Sequence, residues 1–273
     1  MSSASCIIIL FTGGFVLGAI PYTGNKQSLL KDIIPLFPTD HKRFVDCFCG
    51  GLSVSLNVEG PVLANDIQKP LIDMYEWMKK AHYETPMRRI RGYGLSKTNK
   101  RSYEAVRALY NRDKDPMLLY LLIQHSFSNM MRFSGDKFNS PFGHRTITRN
   151  TEKRWNHFKA KKDIQFANCH YSDLGIQETD FVYCDPPYLI TEAAYNALWN
   201  EDEERKLLLW LDSLSSRGIK FALSNVIEHR GLKNQILIDW MQSYNVVYLN
   251  KNYVFNHHHS DKKETVEVFI KNY

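Results

Sequence analysis

No Cys-x-x-Cys pair occurs among the five cysteines Cys6, Cys47, Cys49, Cys169 and Cys184, and their number is odd. This excludes a disulfide framework or a cysteine zinc site and points to reduced, mostly buried thiols in a cytoplasmic protein. Long hydrophobic runs are also missing. The uncharged stretch from Cys6 to Ile20 has no basic residue ahead of it and is too short and glycine-broken to cross a bilayer. It reads either as an extra first strand or as non-functional sequence ahead of an original start near Val16. Metal ligands are scarce. His257-His258-His259 is the one cluster, but three consecutive side chains diverge and no acid or cysteine stands at ligand spacing, so a solvated loop and no metal are expected. There is no internal repeat and no low-complexity linker. Charge is close to balanced, 35 Lys and Arg against 29 Asp and Glu for a net +6, which permits a polyanionic partner without demanding one. With 273 residues, 44% hydrophobic and 23% charged, the chain fits one large domain or one domain with an insertion.

What is present is organised around Asp180-Phe-Val-Tyr-Cys-Asp185-Pro186-Pro187-Tyr188, an apolar strand that stops at an acid, two prolines and a ring. Proline has no N–H and a fixed φ, so Pro186-Pro187 ends any sheet ladder and fixes the chain's path beyond it. Asp185 and a bare backbone carbonyl can then accept the two hydrogens of an exocyclic amino group while Tyr188 stacks on the ring that carries it. A plain strand-ending turn is the alternative.

Upstream, Pro21-Tyr22-Thr23-Gly24-Asn25-Lys26 leads into a helix-like Ser28–Leu36. A turn before a helix offers free N–H groups to an anion and Lys26 adds a charge, unless this is only a loop with a solvated lysine. Arg43 to Cys49 reads as a strand that runs into Gly50-Gly51 and a short helix, Leu52 to Asn57. In such strand–turn–helix units backbone approaches a cofactor closely. A second strand from Pro61 ends in Asp66, where nucleotide-binding sheets place the carboxylate that takes a ribose diol. Helical spacing follows from Pro70 to Ala81. Lys79 to Lys114 then holds eleven Lys and Arg against three acids with no strand-like run, a face suited either to a phosphate backbone or simply to solvent. Pro116–Met131 reads as an apolar helix, Ser134 to Arg145 as part of a hairpin with exposed Met, Phe, Pro and Arg, and Trp155–Lys161 as a short basic helix. Strands are expected at Ile164–Asn168, Phe181–Cys184, Lys220–Asn225, Val246–Leu249 and Thr265–Ile270, and helices at Glu201–Ser216 and Leu232–Tyr244. The layout is a βα-alternating sheet interrupted by one α-rich basic insertion.

The order Tyr-x-Gly-x-Lys, Phe48-Cys-Gly-Gly, Asn65-Asp66, insertion, Asp185-Pro-Pro-Tyr resembles the α-group amino-methyltransferases that use S-adenosylmethionine. More narrowly, Tyr22-Thr-Gly-Asn-Lys-Gln-Ser-Leu-Leu, Phe44-Val-Asp-Cys-Phe-Cys-Gly-Gly-Leu-Ser, Leu63-Ala-Asn-Asp-Ile-Gln, Phe127-Ser-Asn-Met and Tyr188-Leu-Ile-Thr resemble the Dam adenine methyltransferases of T-even bacteriophages. The likeness spans residues 17–273.

That resemblance implies an α/β fold, a Rossmann-like S-adenosylmethionine-dependent methyltransferase sheet with an inserted, mainly helical DNA-recognition domain. Residues 1–16 would be an extension, 17–71 and 162–273 the catalytic domain, and 72–161 the target-recognition domain with its hairpin at 132–145. It implies that Asp185, Pro186, Pro187 and Tyr188 carry the chemistry. Tyr22, Lys26, Asp46, Phe48, Gly50, Asp66, His170, Tyr171 and Asp185 would hold S-adenosylmethionine, and Phe127, Met130, Arg132, Pro141 and Arg145 would read DNA. The implied function is N6 methylation of an adenine flipped from double-stranded DNA, in GATC. The implied protein is cytoplasmic, not membrane-bound, and a monomer in solution, with a dimer on DNA as the alternative. An N4-cytosine or RNA amino-methyltransferase, or a catalytically silent DNA-binding relative, are the competing readings. A cytosine-C5 enzyme would need a cysteine nucleophile, usually beside proline, and no Pro-Cys pair exists.

Overall fold

Short apolar runs that end in acids become the strands of one sheet. The computed structural model describes residues 14–191, 199–249 and 265–273. Among these, β1 (Arg43–Asp46), β2 (Val62–Asn65), β5 (Ile164–Ala167), β6 (Asp180–Cys184), β7 (Lys220–His229), β9 (Asn245–Tyr248) and β10 (Thr265–Lys271) lie in the order β5-β2-β1-β6-β7-β10-β9. The first five are parallel; β10 is antiparallel to both β7 and β9. Strand order reverses beside β1: the chain moves outward through β2 and β5, then returns to place β6 on the other side. Such a switch point opens a crevice at the carboxyl ends of the parallel strands.

Both sheet faces are covered. Phe44, Phe181, Tyr183 and Phe269 pack on one side with Phe37. Val45, Val182, Phe221 and Val268 pack on the other against α7 (Glu201–Ser216) and α8 (Gln235–Trp240). Alternate residues of one strand therefore serve opposite cores, which is why these strands read as unbroken apolar runs. In α7, Asn200 accepts from the Glu203 N–H and four acids fill the first turn, as the helix dipole favours.

Between β2 and β5 the chain makes a helical excursion: α2 (Lys69–Lys80), α3 (Glu84–Tyr93), α4 (Lys100–Asp113), α5 (Pro116–His125) and α6 (Arg149–Ala160), with a small hairpin of β3 (Phe133–Ser134) and β4 (Lys137–Phe138). Buried from Met117 to His125, α5 is its axis; Trp155 meets Trp77 and the α5 residue Tyr120 edge to face, and Trp77 lies tilted against Tyr120. Aromatic pairs of this kind add about 0.5–1.5 kcal/mol each beyond area burial.

Several expectations are corrected. The helix from Pro116 stops at His125, not Met131, because Ser126 turns extended, bridges Phe142 and ties its hydroxyl to Ile123 O and Met130 O. Leu232 does not begin a helix. Arg230 and Gly231, both at positive φ, make a hairpin turn that returns β8 (Leu232–Lys233) onto β7, and α8 starts only after the Asn234 cap. The helix expected from Trp155 begins earlier, at Arg149, under a Thr148–Thr151 capping box. Residues 14–20 carry no strand, and where a helix was expected over 28–36 there is the four-residue α1 (Leu30–Ile33) running into a 3-10 turn, Ile34–Leu36; the proposed roles of residues 1–13, and His257 to His259, lie outside the described residues.

Candidate active site

The carboxyl ends of the parallel strands and the turns that follow them build the floor of a cleft of about 1390 Å³. β1 ends in Asp46 and runs into the turn Phe48-Cys49-Gly50-Gly51; after β2 comes Asp66; after β5, His170 and Tyr171; after β6, Asp185 to Tyr188. All of these line the cleft, as do Tyr22 and Lys26 from the loop above it. Every residue expected to hold the cofactor or carry the chemistry is thus brought to one place. Of the expected DNA-reading set, Met130 and Arg132 line the same cleft. Phe127, Pro141 and Arg145 do not; they are exposed on neighbouring loops.

The half of the cleft at the ends of β1 and β2 is tightly specified. Asp66 accepts from the Gly50 N–H at 3.1 Å and the Gln68 N–H at 2.9 Å, and Asn65 fastens the β1 and β5 ends by donating to Cys47 O and Cys169 O. Tyr22 lies flat on the glycine turn, so a Cβ at Gly51 would fall 2.6 Å from Tyr22 Cβ. Asp46 is buried; its Oδ2 accepts from Ser55 Oγ at 2.6 Å, while its Oδ1 has no partner in the protein. Burial, chiefly, pushes Asp46 up to about 7 and Asp66 up to about 6. A buried carboxylate oxygen facing a cleft without a donor is costly unless a ligand or water supplies one.

Opposite stands a wall of rings. His170 and Tyr171 are 4.2 Å apart by centroid, Phe48 packs on Tyr171 at 5.5 Å, and Trp199 meets Phe48 edge-on at 5.8 Å. Trp199 is held by a hydrogen bond from its Nε1 to Glu204, a carboxylate at 0% exposure that also accepts from Asn225 and Asn234.

The half at the end of β6 is a charge cluster. Lys26, 4% exposed, donates to Asp185 Oδ1 at 2.6 Å, lies 3.2 Å from Glu267 Oε1 and contacts the Tyr188 hydroxyl. That hydroxyl lies 3.1 Å from both Asp185 Oδ1 and Glu267 Oε1, and the Lys26 ammonium sits 4.8 Å from the Tyr188 ring centre. Burial raises the Asp185 pKa while Lys26 opposes it.

Trp199 and Glu203 also line the cleft, with Glu203 Oε2 3.5 Å from His170 Nε2; sequence reasoning missed both of them and Glu267. A signal existed for Glu267, an acid inside the apolar strand Val266-Glu267-Val268-Phe269-Ile270. Trp199 sits in a loop without motif, and Glu203 passes for an ordinary acid of a helix first turn.

A mostly parallel α/β sheet with Asp46, Asp66 and Asp185 at or just past its strand ends, over an open cleft beside a strand-order reversal, is the architecture in which α/β proteins place their ligand sites. Comparison with known families narrows this: the profile of the D12 class N6 adenine-specific DNA methyltransferases matches residues 22–265, and the chain belongs to that family. It is 38% identical over 282 residues to the type II methyltransferase M.FokI of Planomicrobium okeanokoites, covering 96% of this chain and 44% of that protein. Modification methylase StsI of Streptococcus sanguinis is 36% identical over 287 residues with the same coverage, 96% and 44%. The DNA adenine methylase of Escherichia coli (strain K12) is 29% identical over 187 residues, 65% of this chain and 66% of that one. The chain thus spans less than half the length of the first two relatives. Among the described residues no helix is long and apolar enough to cross a membrane.

Proposed function

We propose that this chain transfers a methyl group from S-adenosylmethionine to N6 of an adenine swung out of a DNA duplex. The observation that carries this reading is the Asp185 carboxylate, fixed by Pro186-Pro187 at the switch point and facing a cleft that runs from Asp46 and Asp66 to the hairpin residues Met130 and Arg132. The cofactor fits what is present. Its ammonium suits the orphaned Asp46 Oδ1, its ribose hydroxyls suit Asp66, and its adenine suits the His170, Tyr171 and Phe48 rings. When bound it supplies an electrophilic methyl group on a sulfonium, which departs as a neutral thioether.

The residues of the chain do the rest. The N6 lone pair is delocalised into the adenine ring and is a poor nucleophile. Asp185 and the backbone carbonyl beside Pro186 accept its two hydrogens, favour tetrahedral geometry and stabilise the positive charge that builds as the N–C bond forms. Asp185 then stands ready for the proton that nitrogen must lose. Because N6 is paired inside duplex DNA, the base must leave the stack. The α2–α6 excursion serves as the recognition domain, with the β3–β4 hairpin and the Arg145 loop reading the groove and GATC as the site carried over from the Dam resemblance. Cys47 and Cys49 offer no alternative nucleophile, since burial holds both thiols well above their usual range. The chain acts in the cytoplasm, as a monomer when free of DNA.

The test is mass spectrometry of duplex DNA after incubation with S-adenosylmethionine, using a GATC duplex and a randomised library. N6-methyladenine at one short site, absent with Asp185→Ala, is expected. Label on cytosine alone, or on no duplex, would reject this reading.

A further inference from the structure

The charge cluster in the cleft has three members, and the sequence motifs account for only two. β10 reads Val266-Glu267-Val268-Phe269-Ile270, with Val268, Phe269 and Ile270 fully buried. By the two-residue period Glu267 shares the face of Phe269, which packs in the core that holds Tyr183 and Phe44. Register against β7 shifts between Val266 and Glu267, which pair with Glu228 and Val226, so Ile227 is the extra residue of a β-bulge. Bulges re-aim side chains. This one accompanies a carboxylate, 17% exposed, that reaches the end of β6 and touches both Lys26 and the Tyr188 hydroxyl.

One carboxylate with one ammonium would form a closed neutral pair, with Asp185 Oδ1 held by Lys26 and nothing left to favour the charge that builds on the amino nitrogen. Two carboxylates around one ammonium leave a net negative charge in a site largely shielded from water, where it acts strongly. Lys26 stays an ammonium: burial works to lower its pKa, but Asp185 and Glu267 more than reverse that. Resting on the methyl-transfer reading above, we propose that Glu267 is a positioning residue of the reaction. It takes up Lys26 and the Tyr188 hydroxyl so that Asp185 can accept a hydrogen from the target amino group.

Glu267→Gln keeps the shape and removes the charge. The single-turnover rate should fall on the order of 10- to 100-fold, with KM for S-adenosylmethionine and Kd for the duplex essentially unchanged. Glu267→Asp should recover part of the rate. A second measurement needs no turnover: the carboxyl-carbon NMR titration of Asp185 in the ligand-free chain. Lys26, Tyr188, Tyr183 and Asp46 are the other charged or titratable groups facing that carboxylate, and the variant keeps them all. Burial raises the Asp185 midpoint, Lys26 lowers it and Glu267 raises it again. Removing Glu267 should therefore shift the midpoint down and carry the acid limb of the rate to lower pH. An unmoved rate or an unmoved midpoint overturns the role of Glu267. So does an equal loss of cofactor or duplex affinity, which would make it part of the binding wall or the fold. A wild-type chain that methylates no duplex refutes the functional reading instead, and an unmoved midpoint would still decide against Glu267.

Discussion

Gly143→Ala should unseat the loop from Pro141 to Arg145, proposed above to read DNA, without unfolding the chain. A Cβ there would lie 2.1 Å from Ser126 O, 2.2 Å from Ser126 C and 2.4 Å from Phe127 N, all backbone atoms that no rotamer change can move aside. Carbon contacts are comfortable only from roughly 3.5 Å, so the loop must retreat by roughly 1 Å. That breaks two bonds that now hold it: Gly143 N–H to His125 O at 2.9 Å and Phe127 N–H to Pro141 O at 2.8 Å. At about 1 kcal/mol net each, the loss is about 2 kcal/mol, or roughly 30-fold in the local opening equilibrium. Hydrogen exchange read by NMR should show the Phe127 amide losing protection by that factor. Duplex affinity should fall while binding of S-adenosylmethionine, whose proposed residues lie elsewhere, holds. Gly92→Ala is the matched control: nothing lies within 4 Å of its Cβ, it sits inside α3, and it should stabilise by about 0.5 kcal/mol. Full Phe127 protection together with unchanged duplex affinity in Gly143→Ala would refute the reasoning.

Gly51→Ala should do the reverse, pushing the Tyr22 ring off the glycine turn and weakening S-adenosylmethionine by calorimetry at a cost of about 1–3 kcal/mol in stability, with duplex binding retained. Asp46 and Asp66 have folded pKa values raised above the usual carboxylate value, to about 7 and about 6. Their contribution to stability is therefore present below about pH 4 and lost as pH rises through 6 to 7. Thermal unfolding of the ligand-free chain should show this decline, and Asp46→Asn should flatten it, while cofactor affinity climbs over the same window as both carboxylates ionise. Arg145→Ala, which removes a guanidinium 3.3 Å from Asn129 Oδ1, should relax the choice of one base by about 1–3 kcal/mol, read by sequencing methylated sites from a randomised library.

Much of the cleft could be read along the chain because each contribution is local: a strand, then its terminal acid or glycine turn. Asp46, Gly50, Asp66, His170 and Asp185 announce themselves this way, and α7 matches its expected span, Glu201–Ser216. What escaped depends on distance or on side chains that override pattern. The Lys26–Asp185 pair joins residues 159 apart, so sequence could nominate both without showing that they touch each other. Glu267 was hidden inside a strand whose apolar neighbours suggested only core. The end of α5 was missed because nothing in the run to Met131 shows that Ser126 will bridge Phe142. Leu232 looked helical because the His229-Arg230-Gly231 turn, which sends it back onto β7, carries no Asn-Gly or Asp-Gly signal.

β2 and β5 are neighbours, with Val62 opposite Ile164 and Asn65 opposite Ala167. In polymer terms the whole α2–α6 excursion is one closed loop whose ends are clasped by the sheet. Doubling such a loop costs only about 0.6 kcal/mol in closure entropy. Insertions and deletions within it barely tax the strands that floor the cleft, so the excursion can be rebuilt segment by segment while the clasp, and the cleft behind it, stays as it is.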